Sequence, residues 1–215
     1  QKALREIIGA HVQQAGSSVN ENMLRFDFSH FEAVTKEQLE KIQDRVNEKI
    51  NEFLPVTCEE MSMEDAKKSG AMALFGEKYK STVRVVSAGQ WSRELCGGIH
   101  VKNTGEIGAF KIISESGIAS GIRRIEAVTG TGVLAESLKS DRILESAAEV
   151  LKANKSNLTE RIIAAAEELK SLKKEIEEMK KAAMGGEADS LIAGALCING
   201  INLITREFDG YNIND

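Results

Sequence analysis

The pattern of apolar and polar positions predicts strands and helices in an irregular order over residues 1–130. Leu24–Ser29 alternates apolar and polar residues with the period of two that is typical of a half-buried strand. Thr35 and Gln38 form a capping-box pattern ahead of an amphipathic helix that stops before Pro55. Further strands are predicted at 56–61, 82–86, 110–114 and 124–128, with a short helix at 63–69. This order indicates an α+β fold, with an antiparallel or mixed sheet flanked by helices.

The pattern changes to a helical one after Gly130. A helix is predicted over 132–153, and Asn157 is placed to cap a second one. In the second helix, apolar residues are spaced alternately by four and three, at 158, 162, 165, 169, 172, 176, 179 and 183. Such an unbroken heptad is typical of a coiled-coil seam, and the short break at 154–156 favours an antiparallel helical hairpin that ends at Gly185-Gly186.

These patterns divide the chain into three parts. Residues 1–130 form one domain, 131–184 form the helical hairpin, and 185–215 contain too little apolar sequence to bury a core of their own. The last part, with a strand at 201–205, is therefore interpreted as the beginning of a further domain. Because the sequence opens on Gln1 at helical spacing, we expect the chain to be a fragment of a longer protein.

The net charge and its distribution along the chain indicate which partners the chain can bind. Net charge is −5, which argues against a whole-chain nucleic-acid binder. Residues 78–124 nevertheless carry eight Lys or Arg against three acids, so this segment is +5 and the rest is −10. A positive surface of this kind attracts phosphate, although basic residues that merely decorate exposed strands would give the same count.

The cysteine count and the hydropathy pattern indicate a location. Three scattered cysteines do not make a disulfide framework, so a reducing, cytoplasmic location is expected. No signal peptide is visible, and the longest apolar run is too short and too polar to cross a bilayer. We therefore expect no membrane partner.

The segment Cys96-Gly97-Gly98-Ile99-His100, here called the CGGIH motif, carries the clearest chemistry. A thiolate and an imidazole are both zinc ligands, and the glycines between them allow a tight turn and a close approach of backbone to ligand. Two ligands make only half a zinc site, and the remaining His and Cys do not form a second pair at ligand spacing.

The other His, Cys and Trp residues have simpler interpretations. His11 and His30 are expected to be surface or hydrogen-bonded residues, and Cys58 a small buried residue on a strand. The single tryptophan, Trp91, is expected to pack against other side chains, with stacking on a base as the alternative.

Several longer motifs resemble the editing domain of alanyl-tRNA synthetases. They are RELCGGIHV at 93–101, SGIRRIEAVTG at 120–130, HVQQAGS at 11–17, LRFDFSH at 24–30 and GEIG at 105–108. Together they span about residues 3–130 in the family's order, and the hairpin and the segment after it resemble the linker helices and the first part of that family's C-terminal domain. A similar fold is expected in free-standing alanyl editing proteins and in threonyl-tRNA synthetases.

The resemblance implies a zinc site that this chain holds only in part. In the family, two histidines of an HxxxH helix precede the segment that matches Ala3-Leu4-Arg5, and they join Cys96 and His100 to form a His₃Cys set. That helix would precede Gln1, so we expect this chain alone to bind zinc weakly or not at all. The family usually has Thr where this chain has Ile99.

The resemblance also implies the reaction and its partners. The intact protein is expected to charge tRNA with alanine and to hydrolyse Ser-tRNA(Ala) and Gly-tRNA(Ala) at the 3′-terminal ester, because binding alone separates such similar amino acids poorly. Cys96 and His100 are the expected metal ligands. The expected substrate-binding residues are Gln14, Gly97, Gly98 and Arg123. Since Arg123 and Arg124 alternate along a strand, at most one of them faces the pocket.

The remaining inferences concern cofactors, activity and assembly. The resemblance implies that ATP and Mg²⁺ are used by an aminoacylation domain outside this sequence, and no catalytic base is identified. The fragment itself is expected to be inactive. A non-catalytic module that binds tRNA or dimerises through the hairpin or the C-terminal domain is the first alternative. A free-standing trans-editing hydrolase is the second, and the long helical extension argues against it.

Overall fold

The computed structural model describes residues 1–72 and 81–204, and for 183–192 it describes the backbone alone. The last residue of the strand predicted at 201–205 lies outside the described residues. The chain separates into two compact units, 1–141 and 142–215. This boundary lies within a helix, after the domain boundary predicted at residue 130, so the three-part division of the sequence stays a prediction.

Helices and strands follow one another irregularly in the described chain, which confirms the α+β class. The helices are α1 (Lys2–Ile7), α2 (Lys36–Asn51), α3 (Met63–Lys68), α4 (Thr131–Val150) and α5 (Leu158–Ala193). The strands are β1 (Gln14–Val19), β2 (Leu24–Ser29), β3 (Val56–Ser62), β4 (Thr82–Ala88), β5 (Ser92–Leu95), β6 (Phe110–Ala119), β7 (Ile122–Thr129), β8 (Leu196–Ile198) and β9 (Ile201–Leu203). A short 3₁₀ helix spans Thr104–Ile107.

The first unit contains a four-stranded antiparallel sheet in the order β1-β2-β7-β6. Its core face packs against α1 and α2, where Phe28 and Ile125 from the sheet meet Leu4 and Ile42 from the helices. Phe28 has no exposed surface. Burial of apolar side chains between one sheet face and two helices therefore supplies the main core of this unit.

Side chains of helix α2 also form hydrogen bonds with the backbone at the edge of this sheet. Its start carries the predicted capping box, with both hydrogen bonds between Thr35 and Gln38 formed. The Asn47 side chain donates to the Phe110 carbonyl and accepts from its N–H, and the Gln43 carbonyl oxygen accepts from the N–H of Ile112. Because β6 is an edge strand, these amide side chains replace the neighbour that its backbone lacks.

A second, three-stranded antiparallel sheet has the order β3-β4-β5. Val83, Val85 and Leu95 face a small core with Ala66 of α3. Since side chains alternate along a strand, Arg84 lies on the opposite face, between these buried valines. This opposite face is the one that presents the CGGIH motif, at the end of β5.

Strand β1 is the main error of the sequence prediction in this unit. No strand is predicted ahead of Leu24, whereas Gln14–Val19 is a strand that pairs with β2. The segment is polar because it is an edge strand, with exposed residues along most of its length. Gly16 pairs with Asp27, and a side chain at this glycine would sit against the Asp27 carboxylate.

The second unit contains the end of α4, helix α5 and a small hairpin. Helix α5 continues through Gly185-Gly186 to Ala193, so the predicted end of the helix at this glycine pair is wrong. The predicted strand at 201–205 overlaps β9, which pairs with β8, a strand that the sequence analysis missed. Asn199 and Gly200 both have positive φ at the tip of this hairpin, the backbone that favours an Asn-Gly pair.

The heptad positions of α5 are mostly exposed. Ala148 and Leu158 are buried beside the connection between α4 and α5, and Lys155 pairs with Glu145 at 2.9 Å across it. Farther along α5 the large apolar side chains are about half exposed, namely Ile162, Leu169, Leu172, Ile176 and Met179. The two helices and their short connection are therefore present, and the seam is uncovered. In the part of the chain that the structure describes, we find no helix with the length and apolarity needed to span a bilayer.

Candidate functional site

The CGGIH motif follows directly from β5, and its two candidate ligands converge. The Cys96 N–H donates to the Arg84 carbonyl at 3.1 Å, which extends the pairing of β4 and β5 by one residue. His100 Nε2 lies 3.1 Å from Cys96 Sγ, and the Gly98 N–H lies 3.4 Å from the same sulfur. The structure thus brings the predicted Cys96 and His100 together at the surface of the second sheet.

The electrostatic surroundings favour the neutral form of His100. Burial lowers the pKa of His100, the positive charge of Arg84 lowers it further, and Glu94 acts in the opposite direction. A histidine binds metal through a neutral imidazole, so a lowered pKa keeps the ligand form available at neutral pH.

The two glycines of the motif play different roles. Neither Gly97 nor Gly98 has a positive φ, so the chain passes between the two donors without the left-handed backbone that favours glycine. A Cβ on Gly98 would lie 3.5 Å from Cys96 Sγ and 3.8 Å from His100 Nε2, whereas one on Gly97 would meet nothing within 4 Å. Gly98 therefore keeps the space beside both donor atoms open. Ile99 is fully exposed next to it.

Gln14 and Arg123 belong to the first sheet. Both pair with Phe28, from opposite sides of β2, so they share one row across the sheet. The Gln14 amide donates to Ser17 Oγ at 3.1 Å. Arg123 makes a bidentate ion pair with Glu115 at 2.6 and 2.7 Å, which raises the pKa of Arg123. Their predicted role in substrate binding stays a prediction.

Arg124 is also held by a carboxylate, on the other face of the first sheet. It donates to both oxygens of Asp27, at 2.7 and 2.8 Å, and these hydrogen bonds lower the pKa of Asp27. Two bidentate pairs from neighbouring residues match the strand alternation expected for Arg123 and Arg124. Part of the basic excess predicted for residues 78–124 is therefore neutralised within the sheet.

The interpretations of the remaining residues have mixed outcomes. His11 and His30 are hydrogen-bonded to each other at 3.0 Å, as expected of paired surface histidines. Trp91 packs as expected: its indole N–H donates to Glu6 at 2.9 Å, and Arg45 lies over its ring. The expectation that Cys58 is buried is wrong, because this residue is exposed on the same face as the CGGIH motif.

The donor set fits part of a zinc site. Bond lengths of roughly 2.3 Å to sulfur and 2.0 Å to nitrogen at a tetrahedral angle place two such donors roughly 3.6 Å apart. The observed 3.1 Å between Cys96 Sγ and His100 Nε2 is within a small side-chain movement of this value. Within residues 1–72 and 81–204, no group of three or more His, Cys, Asp or Glu is placed to hold a metal ion. Cys96 and His100 are thus a fitting pair that needs further ligands.

The main residue in contact with the motif that sequence reasoning missed is Arg84. Its guanidinium donates to the Gly98 carbonyl and, at 3.2 Å, to Cys58 Sγ. The signal was present in the sequence, because a lone arginine among the apolar residues of Thr82–Ala88 must face away from the core. Its contact with the motif depends on the pairing of β4 with β5, which the sequence analysis did not predict.

A comparison with protein families places the CGGIH motif inside a known domain. Residues 83–126 match the family described as the threonyl and alanyl tRNA synthetase second additional domain. This match contains most of β4, all of β5, the CGGIH motif, β6 and most of β7. The Cys–His pair therefore lies in a segment that matches a domain described for both threonyl and alanyl tRNA synthetases.

Whole-chain relatives give a more specific result. The chain is 47% identical to an alanine–tRNA ligase of Acetivibrio thermocellus over 212 residues, which are 99% of this chain and 24% of the relative. It is also 47% identical to the alanine–tRNA ligase of Clostridioides difficile, over 99% of this chain and 24% of the relative. It is 48% identical to the alanine–tRNA ligase of Thermoanaerobacter sp. strain X514, over 98% of this chain and 24% of the relative. The chain thus spans about a quarter of these relatives' length. Over nearly its whole length, it matches a segment of the alanyl-tRNA synthetase family, as its motifs predicted.

Proposed function

We propose that this chain is the editing segment of an alanine–tRNA ligase, which hydrolyses tRNA(Ala) charged with serine or glycine. The observation that carries this proposal is the convergence of Cys96 Sγ and His100 Nε2 at 3.1 Å, in a segment that matches the shared synthetase domain. Aminoacylation with ATP and Mg²⁺ is proposed for a domain outside this chain. The cytoplasmic location stays a prediction.

Within the proposal, Cys96 and His100 hold zinc together with ligands from the longer protein. When bound, zinc supplies Lewis-acid chemistry or a fixed anchor for the terminal adenosine and its aminoacyl group. Gly98 leaves room for the substrate beside both donor atoms, because a Cβ there would touch each of them. The lowered pKa of His100 keeps its imidazole neutral and able to bind metal.

The proposed partner is the 3′ end of tRNA(Ala). Gln14 is proposed to contact the substrate, and its amide needs only to leave the hydroxyl of Ser17 to do so. Arg123 is already paired with Glu115, so its proposed role is to fix the local backbone and present a guanidinium edge, and not to act as a free cation.

The first prediction concerns substrate choice. The full-length ligase that contains this chain is expected to hydrolyse Ser-tRNA(Ala) and Gly-tRNA(Ala) at least about tenfold faster than Ala-tRNA(Ala), because editing is useful only if the correct product survives. The measurement is the loss of labelled amino acid from each purified aminoacyl-tRNA. Equal rates for the three substrates would contradict the proposal, and no hydrolysis of any of them would favour the non-catalytic alternative.

We further propose that α5 forms a parallel homodimer, since the described residues of the chain leave its apolar seam uncovered. The a positions hold Ile162, Leu169 and Ile176, and the d positions hold Ala165, Leu172 and Met179. Isoleucine at a with leucine at d, the arrangement that favours two parallel strands, is therefore met in part. In an in-register parallel pair, Glu168 faces Lys173 of the second copy, and Glu175 faces Lys180. The exposure of the large a and d side chains supports the proposal.

The second prediction tests this dimer with matched substitutions. Leu172→Asp is expected to raise the dimer Kd more than about 100-fold, because two buried leucines are lost and two charges enter the seam. Ser171→Asp adds the same charge at an outward c position and is expected to change the Kd less than about threefold. Light scattering after size-exclusion chromatography measures the mass at several concentrations. A monomeric wild-type chain, or an equal effect of both substitutions, would exclude the seam as the interface.

A further inference from the structure

Arg84 is the side chain that joins the CGGIH motif to the rest of the second sheet. Its backbone carbonyl accepts from the Cys96 N–H at 3.1 Å, so strand pairing fixes the start of the motif. Its guanidinium donates through Nη1 to the Gly98 carbonyl and through Nη2 to Cys58 Sγ at 3.2 Å. Arg84 therefore holds the motif at two points, the Cys96 N–H and the Gly98 carbonyl.

Among the residues that the structure describes, the motif has few other anchors. Gly97, Gly98 and Ile99 are all exposed, and a Cβ on Gly97 would meet open space. The internal contacts of the motif are the weak ones from the Gly98 N–H and His100 Nε2 to the same sulfur. A loop with so little packing keeps two donor atoms in place only if its backbone is tied elsewhere.

A guanidinium suits this task better than other side chains do. Its planar fork presents several N–H donors in fixed directions, so an acceptor on β3 and one in the motif after β5 are engaged at once. Val83 and Val85 are buried on either side of Arg84 in the sequence, which fixes the direction in which its side chain leaves β4. Cys58 on β3 then provides a second acceptor that limits where the guanidinium can turn.

We propose that Arg84 is a positioning residue, which holds the Gly98 backbone so that Cys96 and His100 present their donor atoms to one zinc ion. This inference rests on the proposed function for its metal, but the tie between Arg84 and Gly98 does not depend on zinc. Replacing a residue that orients a metal ligand typically lowers metal affinity 10- to 100-fold.

The test compares Arg84→Met, Arg84→Lys and the control Arg142→Met, which removes an exposed arginine of α4. The first measurement is ¹⁵N relaxation of the Gly97, Gly98 and Ile99 amides in the 215-residue chain. Arg84→Met is expected to lower their order parameters from rigid values toward those below about 0.6 that mark flexible backbone, with unchanged values elsewhere in β4 and β5. Arg84→Lys keeps the charge but loses the fork, so an intermediate effect is expected, and Arg142→Met should change nothing.

The second measurement is zinc affinity of the full-length ligase, by competition with a chromogenic chelator. A 10- to 100-fold loss for Arg84→Met, with less for Arg84→Lys, is expected. Unchanged order parameters in both Arg84 variants would overturn the inference, as would an increase in mobility with unchanged zinc affinity. If the motif loosens but the wild-type ligase binds no zinc, the tie to Gly98 stands, while the positioning of zinc and the proposed metal-dependent function both fail.

Discussion

Replacing Cys96 with alanine is expected to lower the rate of Ser-tRNA(Ala) hydrolysis by the full-length ligase about 100-fold or more. The reason is the loss of one donor from a pair whose atoms are only 3.1 Å apart. A bound metal ion supplies several kcal/mol of stabilisation to such a reaction, and each 1.4 kcal/mol is a factor of about ten in rate. Charging of tRNA(Ala) with alanine is expected to stay within about twofold, because it is proposed for a different domain.

A matched control separates the role of this cysteine from a general effect of removing a thiol. Cys197→Ala removes an exposed cysteine from β8, in the second unit, and is expected to leave hydrolysis unchanged. Accumulated Ser-tRNA(Ala) in a charging assay with serine gives a second readout of the same defect. Wild-type hydrolysis by the Cys96→Ala enzyme would contradict the proposed role of the motif.

Replacing Phe28 with alanine is expected to have the largest effect on stability, a loss of about 3–5 kcal/mol in the free energy of unfolding of the first unit. Phe28 is fully buried, stacks near Phe26 at a centroid distance of 6.3 Å, and packs against both α1 and α2. Such a loss is a large part of the stability of an ordinary domain. Phe28→Leu fills more of the space and should cost about 1–1.5 kcal/mol.

Phe31, three residues later, is the matched control. It is 89% exposed, so Phe31→Ala is expected to change the free energy of unfolding by less than about 0.5 kcal/mol. Urea unfolding of the 215-residue chain, followed by fluorescence of the single tryptophan Trp91, reports on the first unit. Equal losses for the two alanine variants would show that the core is not built around Phe28.

The elements with a strong local signal could be predicted from the sequence. The bounds of β2 agree with its alternating pattern, and the capping box at Thr35 and Gln38 forms as expected. In both cases the signal and the structure depend on neighbours within a few residues, through strand alternation or a local side-chain hydrogen bond. Long-range contacts were not needed to specify them.

The elements that depend on distant partners could not be predicted in the same way. Strand β1 is polar and glycine-containing, and it is a strand because β2 lies beside it. Helix α5 passes through Gly185-Gly186, although each glycine costs about 1 kcal/mol in a helix interior. Helix formation is cooperative, and this outweighs the local cost of the two glycines. The glycine pair therefore does not mark the end of α5.

The candidate site also contains residues with a local sequence signal and residues whose contacts depend on distant strands. The spacing in the CGGIH motif indicated that Cys96 and His100 could lie close together, and the resemblance to the editing domain made them the expected metal ligands. Arg84 could not be assigned to the site, because its contact with Gly98 requires the register between β4 and β5. Cys58 was expected to be buried for the same reason: its face of β3 is decided by sheet packing and not by its residue type.

The zinc content of the purified full-length ligase tests the central claim most directly. Elemental analysis is predicted to find about one zinc ion per chain at the editing site of the wild-type enzyme and its loss after simultaneous replacement of Cys96 and His100 with alanine. The 215-residue chain alone is predicted to retain little zinc. A double variant that keeps the full zinc content of the wild type would contradict the account.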